Sequence, residues 1–480
     1  MDKHDIKIIY SRYAGPEKQA LRLLSREIGE VVTRDAGKYI LHVLACEDVR
    51  TATLDKSAVL LGVYDEHPLV RRFVAREEIP EGGYLVKVMD DPDAPERKLL
   101  IVTAHAPREV FYGAVELVDG YFAYAVPRRC EHRYHAELFS HPLPDYTRAF
   151  APKIPVRNIF TWGHPIGDFR AYIDNMARLR FNELIVWNDF VPVNAREIVD
   201  YAHEYGIRLV FGYAWGWSRA CAKTDLSCLD ALADEVIATY ERDYAPLGGD
   251  GIYFQSFTEM NAEYIGDRLV ADAVTDFVNG VASRLLAKYP TLSIQFGLHA
   301  NSVKGRLSSI ARVDPRVHIL WENCGSFPYD IFPFDVTEAD YAPTERFTEE
   351  ICRLREGASC GVLYKGHLTL DWVGENFVHQ SGPFLLGEAS RKTQEDDLAV
   401  ALPLWRRFRY FWQKNGEFAH RLTRRILALC GTGAGVGLAG QFAGGIFYSE
   451  ALAAEIIWDP DASYEEIVER ISARRYLADA

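Results

Sequence analysis

The stretch VRNIFTWGHPIGDFRAYIDNMARLRFNELIVWND, residues 156–189, contains one complete strand–helix–strand unit. Apolar runs at its two ends predict strands over 157–162 and 183–189. The residues between them predict a helix over 168–181. The apolar face of that helix, at helical spacing, consists of Phe169, Tyr172, Ile173 and Met176. A strand, a helix and a strand in this order are typical of a βαβ unit with two parallel strands.

The same alternation continues from this unit towards the C-terminus. Further strands are predicted at 207–213, 251–258, 292–298, 317–322 and 361–366. The pattern also predicts a helix over 268–287 and, before a glycine-rich stretch, an eighth strand at Ile426–Leu429. Eight such units would close a (β/α)8 barrel. A doubly wound open sheet is the alternative, because periodicity alone does not distinguish the two folds.

The region before this alternation predicts a small α/β accessory domain over residues 1–125. Its predicted strands are Ile6–Tyr10, Tyr39–Leu44, Ala58–Val63, Tyr84–Met89 and Leu99–Thr103, and its predicted helices are Pro16–Val32 and Pro107–Val118. Residues 126–152, rich in Pro, Arg and His, predict a linker. Residues 153–480 are then the barrel with C-terminal helices. The predicted fold class is α/β: a (β/α)8 barrel preceded by a small α/β accessory domain.

The composition and net charge of the chain indicate which classes of binding partner are not expected. The chain has 480 residues, too many for one ordinary core, and a net charge of −14, which disfavours binding to a phosphate backbone. There is no apolar run long enough to span a membrane and no secretory signal at the N-terminus, so a cytoplasmic protein without nucleic-acid or membrane partners is expected. None of the eight cysteines forms Cys-x-x-Cys, which favours reduced thiols over a disulfide framework or a zinc site. The sequence does not determine the oligomeric state.

Aromatic and polar residues cluster at the carboxyl ends of the predicted barrel strands, where barrel enzymes carry their active sites. One such residue is often a loop or core residue, but six strand ends of this kind together predict a polar pocket walled by aromatic rings. Such a pocket suits a small carbohydrate. The predicted substrate-binding residues are Arg157, Trp162, His164, Asn188, Asp189, Trp215, Trp217, Tyr253, Trp321, Lys365 and Trp372.

Glu259 is the strongest candidate for catalysis, because it follows the apolar fourth strand and would project into the barrel mouth. A carboxyl group shielded by rings has its charged form disfavoured, as a general acid requires. The alternative is a surface glutamate in a loop. Glycoside hydrolysis normally needs a second carboxylate. The first candidates for it are Glu322 and Asp371, and the next are Asp189 and Glu375.

Two other features of the sequence, a glycine-rich run and the distribution of the histidines, do not predict a cofactor or metal site. The run Gly435–Gly440 matches G-x-G-x-x-G, with Glu455 fifteen positions beyond it. A dinucleotide site would need this turn to open a βαβ unit, whereas here it follows seven of them. We therefore predict a close-packing or turn segment. The histidines are scattered and predict no metal site.

Several short motifs resemble β-N-acetylhexosaminidases and α-glucuronidases. They are the accessory-domain run 108–114, the barrel segments 157–159, 173–182 and 198–207, and the tail 454–460. The resemblance implies that Glu259 is the general acid and that Arg157 binds sugar hydroxyls. Thr258 departs from the family pattern, because hexosaminidases that use the substrate's acetamido group carry Asp immediately before the acidic Glu. A weaker likeness to an α-glucuronidase segment implies Asp371 as a base.

Together these features predict an exo-acting glycoside hydrolase, hexosaminidase-like or α-glucuronidase-like, acting on small oligosaccharides or glycosides. A barrel protein that binds a sugar without cleaving it is the alternative. The presence of a second carboxylate facing Glu259 would distinguish them.

Overall fold

The computed structural model describes residues 6–28, 31–35, 38–42, 44–125, 143–161, 166, 168–187, 191–217, 219–255, 262–298, 305–322, 336–355, 360–364, 391–440, 444–474 and 476–479. The chain divides into two compact units. The first comprises Met1–Pro152, His203–Gly206 and Glu469–Arg475. The second comprises Lys153–Ala202, Ile207–Val468 and Tyr476–Ala480.

A six-stranded sheet with strand order β4-β1-β5-β7-β6-β8 forms the first unit. Strand β1 runs parallel to β4 and β5, β5 runs parallel to β7, and β6 is antiparallel to both β7 and β8. A separate hairpin joins β2 to β3. The strands are β1 (Ile6–Tyr10), β2 (Val31–Asp35), β3 (Lys38–His42), β4 (Ala45–Asp48), β5 (Ser57–Val63), β6 (Tyr84–Asp91), β7 (Ala94–Ala104) and β8 (Tyr146–Phe150). The longer helices of this unit are Gly15–Ile28 and Pro107–Glu116.

The first unit differs from the sequence prediction in two places. The first helix ends at Ile28 instead of continuing to residue 32, and the residues Val31–Asp35, three of them β-branched, form β2. Strand β8 lies inside the segment predicted as a linker. It is fixed by tertiary contacts, since Tyr146 Oη donates to the buried Glu116 carboxylate at 2.7 Å.

The second unit contains a closed barrel of eight parallel strands, in the order β9-β10-β11-β12-β15-β16-β17-β18 and back to β9. Because this sheet closes on itself, the predicted (β/α)8 barrel is confirmed and the alternative, an open sheet, is wrong. The barrel strands are β9 (Val156–Phe160), β10 (Glu183–Trp187), β11 (Arg208–Gly212), β12 (Gly251–Gln255), β15 (Ser293–Leu298), β16 (Val317–Trp321), β17 (Cys360–Tyr364) and β18 (Ala434–Ala439). A short hairpin, β13 (Tyr264–Ile265) and β14 (Arg268–Leu269), lies outside the barrel sheet.

Helices connect the barrel strands and follow the last of them. Those of eight residues or more are Phe169–Arg178, Ala195–His203, Leu229–Thr239, Val270–Lys288, Glu338–Cys352, Arg391–Cys430, Tyr448–Trp458 and Tyr464–Ser472. Within the described part of the chain, no helix is both long enough and apolar enough to cross a bilayer.

The eighth strand lies at a different place from the one predicted. Ile426–Leu429 belong to the helix Arg391–Cys430, and the strand is the following glycine-rich segment Ala434–Ala439. Glycine has low strand propensity, so the sequence pattern hid this strand. A Cβ at Gly437 would overlap side-chain and main-chain atoms of Asn158 on β9. The glycines of the G-x-G-x-x-G run thus allow close packing, as predicted.

Candidate active site at the carboxyl end of the barrel

An apolar central layer of side chains lies in the barrel interior. This layer consists of Phe160, Ile185, Val210, Tyr253, Leu320 and Leu363. Because side chains alternate along a strand, a residue two positions further on also faces the interior, one layer closer to the carboxyl mouth. Trp187, Gly212 and Glu322 occupy such positions on β10, on β11 and just after β16. The mouth layer therefore combines a ring, a carboxylate and a position without a side chain.

Glu322 is the carboxylate that the structure places in the mouth layer. It is fully buried, and its backbone N–H donates to Leu298 O at 3.1 Å, which continues the pairing of β15 with β16. The hydroxyl of Tyr253, on β12, donates a hydrogen bond to Glu322 Oε1. Burial, and then the charge of Glu322, raise the pKa of Tyr253 well above its usual value. The phenol therefore stays protonated and remains a donor.

Gly297 makes room for this hydrogen bond. A Cβ at this position on β15 would overlap the Tyr253 hydroxyl and come within 2.8 Å of Glu322 Oε1. A larger residue would therefore displace the carboxylate or the phenol. The need for glycine here is steric, since Gly297 lies inside a regular strand.

Trp187 supplies an aromatic surface in the same layer. It is half-buried, and its ring stacks on Phe160 with centroids 6.0 Å apart and an interplanar angle of 19°. A Cβ at Gly212 would come within 2.9 Å of Trp187 Cγ, so the glycine leaves space for the ring. The prediction of substrate-binding residues omitted Trp187. Its position at a strand end, the signal used for the other tryptophans, could have identified it.

Most of the predicted site residues lie outside the described part of the chain. They are Glu259, Asp371, Trp162, His164, Asn188, Asp189, Lys365 and Trp372. Their roles remain predictions. Of the predicted catalytic residues, the structure describes Glu322.

Two tryptophans predicted to line the mouth are core residues instead. Trp215 is 2% exposed and stacks on Phe254 at 4.3 Å, with its edge against Phe277 of the helix Val270–Lys288. Trp217 is also buried and packs on Phe277 at 6.1 Å. Phe254 lies on the outer face of its strand, so these rings fill the layer between barrel and helices. We correct their assignment as substrate-binding residues accordingly.

Trp321 is likewise corrected, because it faces outwards from β16. It is fully buried, and its indole N–H donates to Thr348 Oγ1 at 3.2 Å in the helix Glu338–Cys352. Its ring meets Phe347 of that helix edge to face at 4.8 Å. Its neighbours Leu320 and Glu322 point into the barrel, so a one-residue change in position along the strand separates a core tryptophan from a site carboxylate.

Arg157 also lies away from the mouth. Its guanidinium donates to the backbone carbonyls of Arg180 at 3.0 Å and Ile154 at 2.6 Å. It stands over the ring of Trp458 at 5.0 Å from the centroid. Ile154 precedes β9, so the donors face the amino end of the strand and the outer helices. This placement contradicts the sugar-binding role implied by the resemblance.

Tyr253, predicted to contact substrate, takes another position. Its ring belongs to the central layer and packs against Phe160 at 5.1 Å, and the residue is fully buried. Its hydroxyl is directed to Glu322. It therefore acts on the carboxylate instead of presenting a surface to a sugar.

A cavity of about 480 Å³ lies at the opposite, amino end of the barrel. Two cations in its lining are already paired, Arg208 with the buried Glu183 at 2.6 Å and Lys288 with Glu241 at 2.7 Å. Because barrel enzymes carry out their chemistry at the carboxyl ends of the strands, we do not assign catalysis to this cavity. Among the described residues, no group of three or more His, Cys, Asp or Glu side chains could hold a metal ion.

Solved structures of glycoside hydrolases share this fold. A GH138 enzyme targeting pectin rhamnogalacturonan II matches over 97% of this chain and 52% of its own, with a TM-score of 0.52 and 11% identity. A GH20 exo-β-N-acetylglucosaminidase from Vibrio harveyi matches over 98% of this chain and 73% of its own, with a TM-score of 0.50 and 10% identity. A family GH115 4-O-methyl-α-glucuronidase with specificity for decorated arabinogalactans matches over 97% and 57%, with a TM-score of 0.48 and 12% identity.

The matches to the GH138 and GH20 enzymes confirm, at the level of the fold, the resemblance to glycoside hydrolases. The chain spans about half the length of the GH138 and GH115 enzymes. No protein-family model and no curated protein sequence matches it. The fold is a (β/α)8 barrel that solved glycoside hydrolases share.

Proposed function

We propose that this protein is an exo-acting glycoside hydrolase that acts on small oligosaccharides or glycosides. The observation that carries the proposal is the carboxylate of Glu322, which faces the interior at the carboxyl end of the barrel and accepts a hydrogen bond from Tyr253. A buried carboxylate is costly unless it is paired or hydrogen-bonded, so its retention here favours a chemical role over a structural one.

In this proposal Glu322 is the second carboxylate and Glu259 the general acid. The phenol of Tyr253 donates to Oε1, so this oxygen accepts a hydrogen bond and is held in place. A carboxylate oriented in this way suits a nucleophile or a general base. Glu259, expected after the fourth strand, would then protonate the glycosidic oxygen. Asp371 remains the alternative second carboxylate.

Trp187 supports a carbohydrate substrate in particular. It is a half-buried ring in the same layer as Glu322, backed by Phe160. An aromatic face covers an apolar surface, and a pyranose has one apolar face of its own. The GH138 and GH20 enzymes that share the fold are an enzyme targeting pectin rhamnogalacturonan II and an exo-β-N-acetylglucosaminidase. We extend only the general class, action on carbohydrate, to this chain.

The test is a panel of aryl glycosides, including uronides and N-acetylhexosaminides, assayed with wild-type protein and Glu322→Gln. Glutamine keeps the shape but cannot act as base or nucleophile, so we expect kcat/KM to fall about 10²–10⁴-fold. Glu338→Gln is the matched control, because Glu338 is exposed and pairs with Arg421; its activity should equal that of the wild type. Equal activity of Glu322→Gln and wild type would remove Glu322 from the mechanism.

A sugar-binding barrel protein without hydrolytic activity is the competing function. Calorimetric binding of a monosaccharide from the same panel, with no product released on prolonged incubation, would favour it.

The cytoplasmic location stays a prediction from the sequence. The six cysteines in the described part of the chain are free thiols.

A further inference from the structure

Three residues on three adjacent strands meet at one point in the barrel mouth. Tyr253 on β12 reaches across β15 to Glu322 at the end of β16, and Gly297 on the strand between them leaves the space for this contact. The hydrogen bond thus spans an intervening strand inside a fully buried layer. Such a bond requires a glycine at position 297, a phenol at position 253 and a carboxylate at position 322 together.

We propose that Tyr253 is a positioning residue that holds the Glu322 carboxylate in one orientation, and so fixes it as the base or nucleophile of the reaction. This inference rests on the proposed function, because it assigns a role within the same site. Tyr253 does not contact substrate; it acts through Glu322. Gly297 is also required, because any side chain at this position would break the hydrogen bond between Tyr253 and Glu322.

The environment of Tyr253 supports a permanent donor. Its ring is held by Phe160 at 5.1 Å within the apolar central layer, which limits movement of the hydroxyl. Its raised pKa keeps the hydroxyl protonated at any ordinary pH. Of the strands beside Glu322, β15 contributes Gly297 and β17 the apolar Leu363. Lys365, predicted at the end of β17, lies outside the described residues.

Removing the donor has a defined consequence for turnover. In Tyr253→Phe the ring remains, but Oε1 loses its hydrogen-bond donor, so the carboxylate is no longer held in one orientation. We expect kcat to fall about 10–100-fold while KM changes by no more than about two-fold. Gly297→Ala should lower kcat in the same way, because its Cβ separates the same two groups.

Tyr341→Phe is the matched control. Tyr341 is also buried and also loses one hydrogen bond as phenylalanine, from its hydroxyl to Phe418 O at 2.6 Å, but it lies in the helix Glu338–Cys352. Tyr341→Phe should cost stability similarly while leaving kcat, KM and the carboxylate band unchanged. If Tyr253→Phe shows only the change seen in Tyr341→Phe, Tyr253 is an ordinary core residue and the inference is overturned.

A second measurement separates this inference from the proposed function. Infrared spectra of protein with ¹³C-labelled glutamate would follow the Glu322 carboxylate band, assigned by its loss in Glu322→Gln. The stretching frequency of that band should shift in Tyr253→Phe and Gly297→Ala, because the carboxylate loses its hydrogen-bond donor. A shift in protein that cleaves no glycoside supports the positioning contact and contradicts the hydrolase. An unmoved band in active protein overturns the positioning role and leaves the hydrolase standing.

Discussion

The ion pair between Arg180 and Glu455 is a buried interaction of the barrel unit whose loss is expected to be costly. The two side chains are each 3% exposed and approach to 2.5 Å, and Arg180 also stands over the ring of Trp458 at 4.4 Å from its centroid. Glu455→Gln keeps the shape but leaves Arg180 charged and buried without its counter-ion. Breaking one side of a buried pair costs about 3–5 kcal/mol.

The magnitude converts to a melting temperature through the size of the unit. With an unfolding entropy of about 2.1 cal/mol/K per residue over roughly 300 residues, 3–5 kcal/mol corresponds to a decrease of about 5–8 °C. Scanning calorimetry at neutral pH would measure it. Activity below the transition should stay unchanged, because Glu455 lies away from the barrel mouth.

Asp234→Asn is the control for this measurement. Asp234 pairs with Arg284 in the same unit, but the two side chains are 70% and 51% exposed, so the melting temperature should change by no more than about 1 °C. The double variant Arg180→Met/Glu455→Leu should recover part of the loss, because it removes both charges. A Glu455→Gln protein that melts within 1 °C of the wild type would refute the assignment of a buried, uncompensated charge.

Two further outcomes concern the chemistry. In Glu259→Gln, turnover of substrates with poor leaving groups should fall about 10²–10⁴-fold while folding, followed by circular dichroism, is kept; unchanged turnover would exclude Glu259 as the acid. The reaction should proceed with inversion, because Thr258 replaces the aspartate that orients an acetamido nucleophile in the substrate-assisted, retaining route. Proton NMR should then show the opposite anomer first; the retained anomer, or carboxyl groups only about 5–5.5 Å apart, would contradict this.

The regular alternation of strands and helices was accessible from the sequence. Apolar runs and helical spacing follow directly from burial, so the cores of the first seven barrel strands were predictable from local pattern, whereas closure of the sheet was not. The eighth strand was not, because its glycines carry no strand signal. Its identity depends on Asn158 of β9, which is distant in sequence and leaves no room for a Cβ at Gly437.

The sequence also indicated that chemistry lies at the strand ends, but it did not determine which side chains face inwards. Trp321 and Glu322 are adjacent in the chain, yet one packs on Thr348 and the other meets Tyr253 inside the barrel. Side chains alternate with a period of two, so one residue of register decides between core and site. The same alternation on β10 places the side chain of Trp187 in the mouth layer, two positions after Ile185 of the central layer.

Residue types and spacing by themselves determined the alternation of strands and helices, the net negative charge and Glu322 as a candidate carboxylate. Only the tertiary structure decided that Tyr253 serves Glu322, that Gly297 makes this possible, and that Arg157 bonds to backbone carbonyls at the opposite end of its strand. These contacts join strands and helices far apart in the chain. Hydrogen bonds and steric exclusion act over a few ångströms in space, and no local pattern in the sequence records which distant groups come that close.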